Sequence, residues 1–392
     1  MAYTATLQNV AGTQSILAAQ RIVDMADKIY LLEPNAAPLY VLVSKLNKRV
    51  AINTTFSWLE DTLQPSWETL GVSADSSATG LTATHNYINP YDVVKVIETG
   101  ELLLATAVTQ TAITVYRSWG DTAGASIATT YNLLILGPAF QEGETNINLI
   151  TRSTINVQKS NYLQIFRKSV EITKTLANSE LYGGNDRNYQ RKKKGIEFLR
   201  DLERSFIHGQ DIEDTPTTAM TVSTHARRTT AGLDHFINTN STTSVATMTE
   251  SEFETALRTV FRYGSNSRYL FCAPLVISVI SQWAQGKLSM FPSDKTYGIA
   301  ITQYLSPHGT LNLVKEVMLE HATVAGTTYF AGYCYFVELE DIVYRYLQNR
   351  DVQMETDIQL PGDDLYKDQY VAEVGMEFHN ELKMGKMSGI TG

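Results

Sequence analysis

At 392 residues with 43% hydrophobic and 19% charged side chains, the sequence can bury a sizeable core and is long enough for two or three domains. A formal net charge of -9 argues against a protein whose main surface tracks phosphate, because such a surface needs a clustered positive field. Cys272 and Cys334 stand far apart with no CxxC pairing, which argues against a disulfide framework or a zinc site and leaves both as buried small apolar residues.

The first twenty residues lack a basic segment followed by an apolar core, and no stretch approaches the roughly 20 apolar residues that span a bilayer. No membrane partner is expected, and synthesis in a cytoplasm is. Residues 14–32 place Ile16, Leu17, Ile22, Val23, Met25, Ile29 and Tyr30 at helical intervals, and Pro34 ends the pattern. Residues 50–88 carry Phe56, Trp58 and Trp67 in a Ser/Thr-rich background without sustained periodicity. A two-stranded ribbon of this kind is marginal in water, so its tryptophans need a cover, either this chain's own core or another subunit.

Residues 91–137 change style, with four short runs at strand spacing separated at Thr99-Gly100, at 109–111 and over 120–124. They predict a small β-barrel or sandwich set into a long polar hairpin. A helix follows from Asn185 or Asp186, with Ile196, Leu199, Leu202 and Phe206 on one stripe and His208-Gly209 at its end. Its first half holds Arg191, Lys192, Lys193 and Lys194, and its second half holds Glu197, Asp201 and Glu203. That order opposes the helix dipole, so the cations are expected to answer to something outside the helix.

Thr249 and Glu252 have capping-box spacing at the head of a helix that Gly264 would stop. "LFCAPLVISVISQWAQG" reads as a strand and a buried helix, and strand patterns dominate the remainder. The body is therefore expected to be mixed α+β. No GxSxG, HExxH, Walker or GxGxxG motif is present. His208 and His379 are read as structural, and Asp363 and Asp364 after Pro361-Gly362 as a turn rather than a cation site. The basic block lacks the interleaved aromatics of a base-stacking surface; only Tyr189 is near.

The order of these parts resembles the major capsid protein of tailed double-stranded DNA bacteriophages, with its Hong Kong 97-like fold. "PNAAPLYVLVSKLNKRVAINTTFSWLEDTL" is similar to an arm entering the extended loop, and "NYQRKKKGIEFLRDLERSFIHG" to the spine helix. "GTLNLVKEVML", "ELEDIVYRYLQ" and "EVGMEFHNELKMGKMSGI" resemble the closing strands. "VIETGELLLATAVTQTAITVYRSWGDTAGA" resembles a β module that family members carry.

The resemblance implies an N-terminal arm at 1–49, an extension loop at 50–90 and 145–180, and an inserted β-rich module at 91–144. It implies a peripheral domain at 181–210 and 346–392 and an axial domain at 211–345. The function implied is structural and non-enzymatic: hexamers and pentamers of the chain closing into an icosahedral phage head, assembled in the host bacterial cytoplasm. Packaged double-stranded DNA would lie on the inner face, with a portal, a separate scaffolding protein and a decoration protein as further partners and no cofactor or metal. Residues 50–88 contain no lysine, so a Lys to Asn cross-link is not expected on that strand. The contacts expected between subunits are Arg191, Lys192, Lys193 and Lys194 of one copy against Glu60 and Asp61 of the next, with Trp58 and Trp67 covered by the neighbour. The alternatives are an encapsulin-like bacterial nanocompartment shell, a nucleic-acid-binding protein using the basic helix, and a hydrolase working through His379 or Asp363 and Asp364.

Overall fold

A computed structural model describes residues 37–85, 87–143, 153–179, 186–214, 225–243, 247–283, 288–290, 301–320 and 330–391. The helix expected over 14–32 lies outside the described residues. The chain divides into two compact units, Trp58–Lys159 and the remainder.

Helix α1 (Pro38–Leu46) begins on a proline that presets the first turn, and strand β1 (Lys48–Ala51) follows it directly. Strand β2 (Thr55–Glu60) then leads into the smaller unit. There β3 (Trp67–Thr69), β4 (Gly80–Thr82), β5 (Asp92–Val96), β6 (Leu102–Val108), β7 (Ala112–Tyr116) and β8 (Asn132–Pro138) form one sheet. Its order is β3-β8-β5-β6-β7-β4, antiparallel at every pairing. A bridge between Leu70 and Ala83 joins the two edge strands, with Gly71 N donating to Thr82 O at 2.8 Å and Thr84 N to Thr69 O at 2.9 Å. The strand path thus returns on itself, leaving little free edge.

Inside it Leu70, Leu81, Ile88, Val94, Val96, Leu103, Ile113, Val115, Ile127 and Leu133 form a separate apolar core. One ion pair organises the connections around it. Glu101, fully buried, accepts from Arg117 Nε and Nη2 at 2.8 Å each, and from the amides of Ser118 at 3.1 Å and Ala125 at 3.2 Å. Arg117 also donates to the carbonyls of Asp75, Ala78 and Ala125, so a single guanidinium ties two loops to one strand end.

The strand-rich segment expected from residue 91 therefore starts earlier. β3 and β4 belong to the same sheet, and Leu70, Leu81, Ala83 and Ile88 to the same core. Three-residue strands are too short to print an alternation. The chain that leaves β4 is held back on β3 by buried Glu68, which accepts from the amides of Thr69, His85 and Tyr87.

Strand β9 (Val157–Tyr162) pairs with β2 as a two-stranded ribbon and runs into β10 (Gln164–Thr173). The larger unit continues with α2 (Lys174–Ala177), α3 (Asp186–His208), β11 (Ile212–Glu213), β12 (Arg228–Thr229), α4 (Leu233–Phe236) and β13 (Ser241–Thr243). After these come α5 (Glu250–Val260), β14 (Ser267–Cys272), α6 (Pro274–Trp283), β15 (Leu288–Met290), β16 (Ile301–Ser306) and β17 (Gly309–Lys315). The chain closes with β18 (Cys334–Val337), β19 (Ile342–Leu347), β20 (Gln353–Glu355), β21 (Leu365–Phe378) and β22 (Gly385–Ser388).

One sheet has the order β1-β19-β21-β10, with β20 also on β21, and the other the order β13-β22-β18-β14-β17-β16-β15. The long helix α3 packs Phe198, Leu202, Phe206 and Ile207 into the core, with Leu199 partly buried beside them. Phe198 meets Phe166 of β10 at 6.4 Å and Tyr370 of β21 at 5.9 Å between ring centroids. The buried stripe is thus rotated slightly from the expected one, since Ile196 is only half-buried. α5 carries the expected capping box, Thr249 N to Glu252 Oε2 at 2.9 Å and Glu252 N to Thr249 Oγ1 at 3.3 Å, and Gly264 follows it at a φ of 80°.

Within the expected grouping of 346–392 with the long helix, the last strand lies in a different sheet from β21. β22 pairs with β13 and β18 in the seven-stranded sheet, away from β21. Where the ribbon re-enters the larger unit, Asn161 is fully buried and fully bonded. Its amide donates to Thr230 Oγ1, Ala231 O and Met376 O at 3.2, 3.2 and 2.7 Å, and its carbonyl accepts from Tyr162 and Ala231 amides. Asn161→Ala orphans the Ala231 amide and the Met376 carbonyl, and is expected to cost about 2–3 kcal/mol in urea unfolding.

Candidate assembly surface

The basic block sits in the first half of α3, where Arg187 and Arg191, one turn apart, share a face. Both reach one carboxylate on β21. Arg187 donates to Asp368 through Nε at 2.9 Å and Nη2 at 2.6 Å, and Arg191 through Nε at 2.8 Å. The Asp357 amide adds a further bond at 3.0 Å, Arg187 also reaches Asp357 Oδ1 at 2.7 Å, and its guanidinium lies 4.5 Å from the Tyr366 ring centre. Asp368 is buried, and although burial alone would raise its pKa, these bonds hold it well below the usual carboxylate range.

Close approach makes the clamp possible. At Gly195 a Cβ would stand 3.1 Å from the Tyr370 hydroxyl, which donates to the Arg191 carbonyl at 3.1 Å. Lys194 pairs within the helix, its Nζ 2.7 Å from Glu197, whose pKa is lowered by that bond. Lys192 and Lys193 are exposed. The expectation that the block answers to something outside the helix thus divides: Arg191 has Asp368 of its own chain, Lys194 has a helical neighbour, and two lysines face outward.

The other four expected contact residues lie in the smaller unit. Trp58 is only 8% exposed and donates its indole N–H to Glu60 Oε1 at 3.0 Å, so its own chain covers it rather than leaving it for a neighbour. Phe56 is covered likewise, with Arg345 5.9 Å above its ring. Asp61 accepts from the Thr62 amide and from Thr154 Oγ1, both at 2.8 Å, which links the two sides of the ribbon. Trp67, opposite Leu134 on β8, is 44% exposed.

The exposed apolar residues of the ribbon and of the segments just beyond it are aliphatic. Leu59 is 67%, Leu63 93%, Ile155 89% and Val157 56% exposed. Their signal was present as isolated apolar letters in a polar stretch on both limbs of the hairpin.

The residues considered for chemistry are structural in their surroundings. His379 Nε2 lies 2.6 Å from Glu377, which also binds Arg345, and His208 lies against the Phe330 ring with its pKa lowered by burial. Asp363 closes a turn on Leu360 across Pro361-Gly362, and Asp364 pairs with Lys174 at 3.5 Å. Cys272 and Cys334 face each other across β14 and β18 as free, buried thiols, and burial pushes Cys334 up to about 12. Among the described residues no three His, Cys, Asp or Glu are grouped to hold a metal, and no helix is long and apolar enough to cross a membrane.

The Asp368 clamp has a testable sign. A carboxylate whose folded pKa is depressed contributes stability above the unfolded carboxyl range and loses it as pH falls. Asp368→Asn is expected to lower stability at neutral pH by about 2–3 kcal/mol, below the cost of a fully buried pair because both guanidiniums reach water. It should also flatten the loss of stability between about pH 5 and pH 2, followed by acid titration of the circular dichroism signal.

A sequence model of the SU10 major capsid protein family matches residues 3–391. The chain is 22% identical over 338 residues to the major capsid protein of Pseudomonas phage PaMx41, spanning 82% of this chain and 78% of that one. It is 32% identical over 149 residues to the major capsid protein of Escherichia phage Phieco32, spanning 37% and 38% of the two chains. Among solved structures it is similar to that of Mycobacterium phage Bobi, with a TM-score of 0.50, 10% identity, and coverage of 96% of this chain and 97% of that one. The fold is Hong Kong 97-like, and the chain belongs to the SU10 major capsid protein family as a structural subunit of a phage capsid.

Proposed function

We propose that hexamers and pentamers of this chain close into an icosahedral head around packaged double-stranded DNA, assembling in the host cytoplasm with a portal and a separate scaffolding protein. The role is mechanical rather than enzymatic. The observation that carries this reading is the ribbon of β2 and β9. Two strands alone are marginal in water, yet this pair leaves Leu59 and Val157 exposed, with Leu63 and Ile155 exposed on the segments just beyond it. A neighbouring copy of the same chain is the surface that would cover them in a closed symmetric shell.

The exposed Lys192 and Lys193 supply a second, electrostatic part of the contact. Their partners in this reading are Glu60 and Asp61 at the tip of the neighbour's β2, an acidic pair whose charge complements the lysines. Packaged DNA is the competing partner for these lysines, and the net charge of -9 makes the subunit as a whole a poor phosphate binder.

Two variants separate folding from assembly. Replacing Lys192 and Lys193 by Gln is expected to leave the subunit's melting temperature nearly unchanged, because both side chains are solvated surface groups. It is expected to reduce closed particles severely, as seen by sedimentation velocity and electron microscopy. Arg191→Gln should instead lower the melting temperature, because it strips one arm of the Asp368 clamp. Leu63→Asp with Ile155→Asp is expected to abolish shells while leaving a folded subunit. Normal shells from the two-lysine variant would remove those lysines from the contact, and normal shells from the aspartate variant would overturn the ribbon's role.

A further inference from the structure

The larger unit buries a pair of carboxyls that the capsid reading does not use. Glu203 of α3 and Glu316, directly after β17, are both fully buried. Glu203 caps α1 from outside. Its Oε1 accepts from the Leu39 amide at 2.7 Å and its Oε2 from the Tyr40 amide at 2.8 Å, while Ala37, the residue before the helix, contributes no side-chain cap. Glu316 accepts from the Met318 amide at 3.0 Å through Oε1, and its Oε2 has no partner.

A buried carboxylate oxygen without a donor is costly, and a second carboxylate beside it makes ionisation costlier still. One proton solves both problems. Shared between Glu316 Oε2 and Glu203, it gives the orphan oxygen a partner and leaves the pair a single negative charge near the positive end of α1. The groups that face the pair from the packed elements are each other and, from β14, the Cys272 thiol. No described Lys, Arg or His bonds to either carboxyl. Burial raises both above the ordinary carboxyl range, and the neighbouring Glu316 raises Glu203 further.

We propose that Glu203 and Glu316 share one proton and that this proton seats helix α1 on the long helix, so that the start of the body loosens as the pH rises. The folded chain holds a proton that two separate carboxyls in water would have released. Stability contributed by the pair is therefore lost as pH climbs from the ordinary carboxyl range through the raised folded value. With the proton gone, two like charges stand in the core, and the element that can most cheaply leave is α1, whose fully covered residues are Leu39 and Val43. Its departure admits water to Glu203.

Glu316→Gln tests this directly, because a glutamine accepts from Met318 and donates to Glu203 at every pH, as the protonated acid does. The measurement is amide hydrogen exchange of residues 39–46 in the full-length chain between pH 5 and pH 9, corrected for intrinsic rates. Wild-type protection at Leu39 and Tyr40 is expected to fall by up to about tenfold per pH unit across the window in which the proton leaves, the limit for one-proton linkage. The Gln variant should hold its protection throughout. The same pH profile in both chains would overturn the proposal. Should the variant not fold, the infrared spectrum of the wild-type chain decides: a protonated carboxyl band retained at pH 7 supports the shared proton, and its absence overturns it.

Discussion

Asp368 is the interaction on which the larger unit depends. It lies on β21, the strand that pairs with β10, β19 and β20, and it receives two arginines from one face of the long helix. The helix start would otherwise carry its cations against its own dipole. With Asp368 buried beneath them, that arrangement becomes a fastening, and it sets the register in which Phe198, Leu202 and Phe206 meet the sheet. At the other end of the same helix Glu203 fixes α1. One element thus carries two buried acid contacts, each placing a different segment of the chain.

The smaller unit is organised by the same means on a smaller scale. Glu101 and Arg117 bind two loops to a strand end, and the Leu70 to Ala83 bridge returns the strand path to its beginning. Each unit therefore holds its central buried carboxylate with arginines of its own, which is what a subunit needs if it is to remain folded before it meets its neighbours. The ribbon of β2 and β9 differs in kind. Its aromatic residues Phe56 and Trp58 are covered within the chain, while its aliphatic Leu59 and Val157, with Leu63 and Ile155 just beyond it, are left exposed. A surface with that division is suited to a contact made after folding.

What the sequence disclosed follows the range of each signal. The capping box of α5, the strand and helix at 267–283 and the stripe of α3 rest on residues within one or two turns of each other, and local spacing was enough to read them. The partner of Arg191 lies 177 residues away, so no spacing rule could find it, although the i, i+4 pair Arg187 and Arg191 was a sign that two cations share a face. β3 and β4 were hidden because three residues carry no period, and β22 because alternation says that a strand exists but not which sheet it joins. Trp58 illustrates a further limit. An indole needs a cover and a hydrogen-bond acceptor, and Glu60 two residues on supplies the acceptor.

The central claim is that the outward face of the ribbon is buried by a neighbouring copy once the shell closes. The most direct measurement is a cryo-electron microscopy map of assembled particles at side-chain detail. The account predicts that Leu59, Leu63, Ile155 and Val157 lie against the adjacent subunit, with Lys192 and Lys193 of that subunit within ion-pair distance of Glu60 or Asp61. A closed particle in which those four aliphatic side chains still face solvent would contradict it.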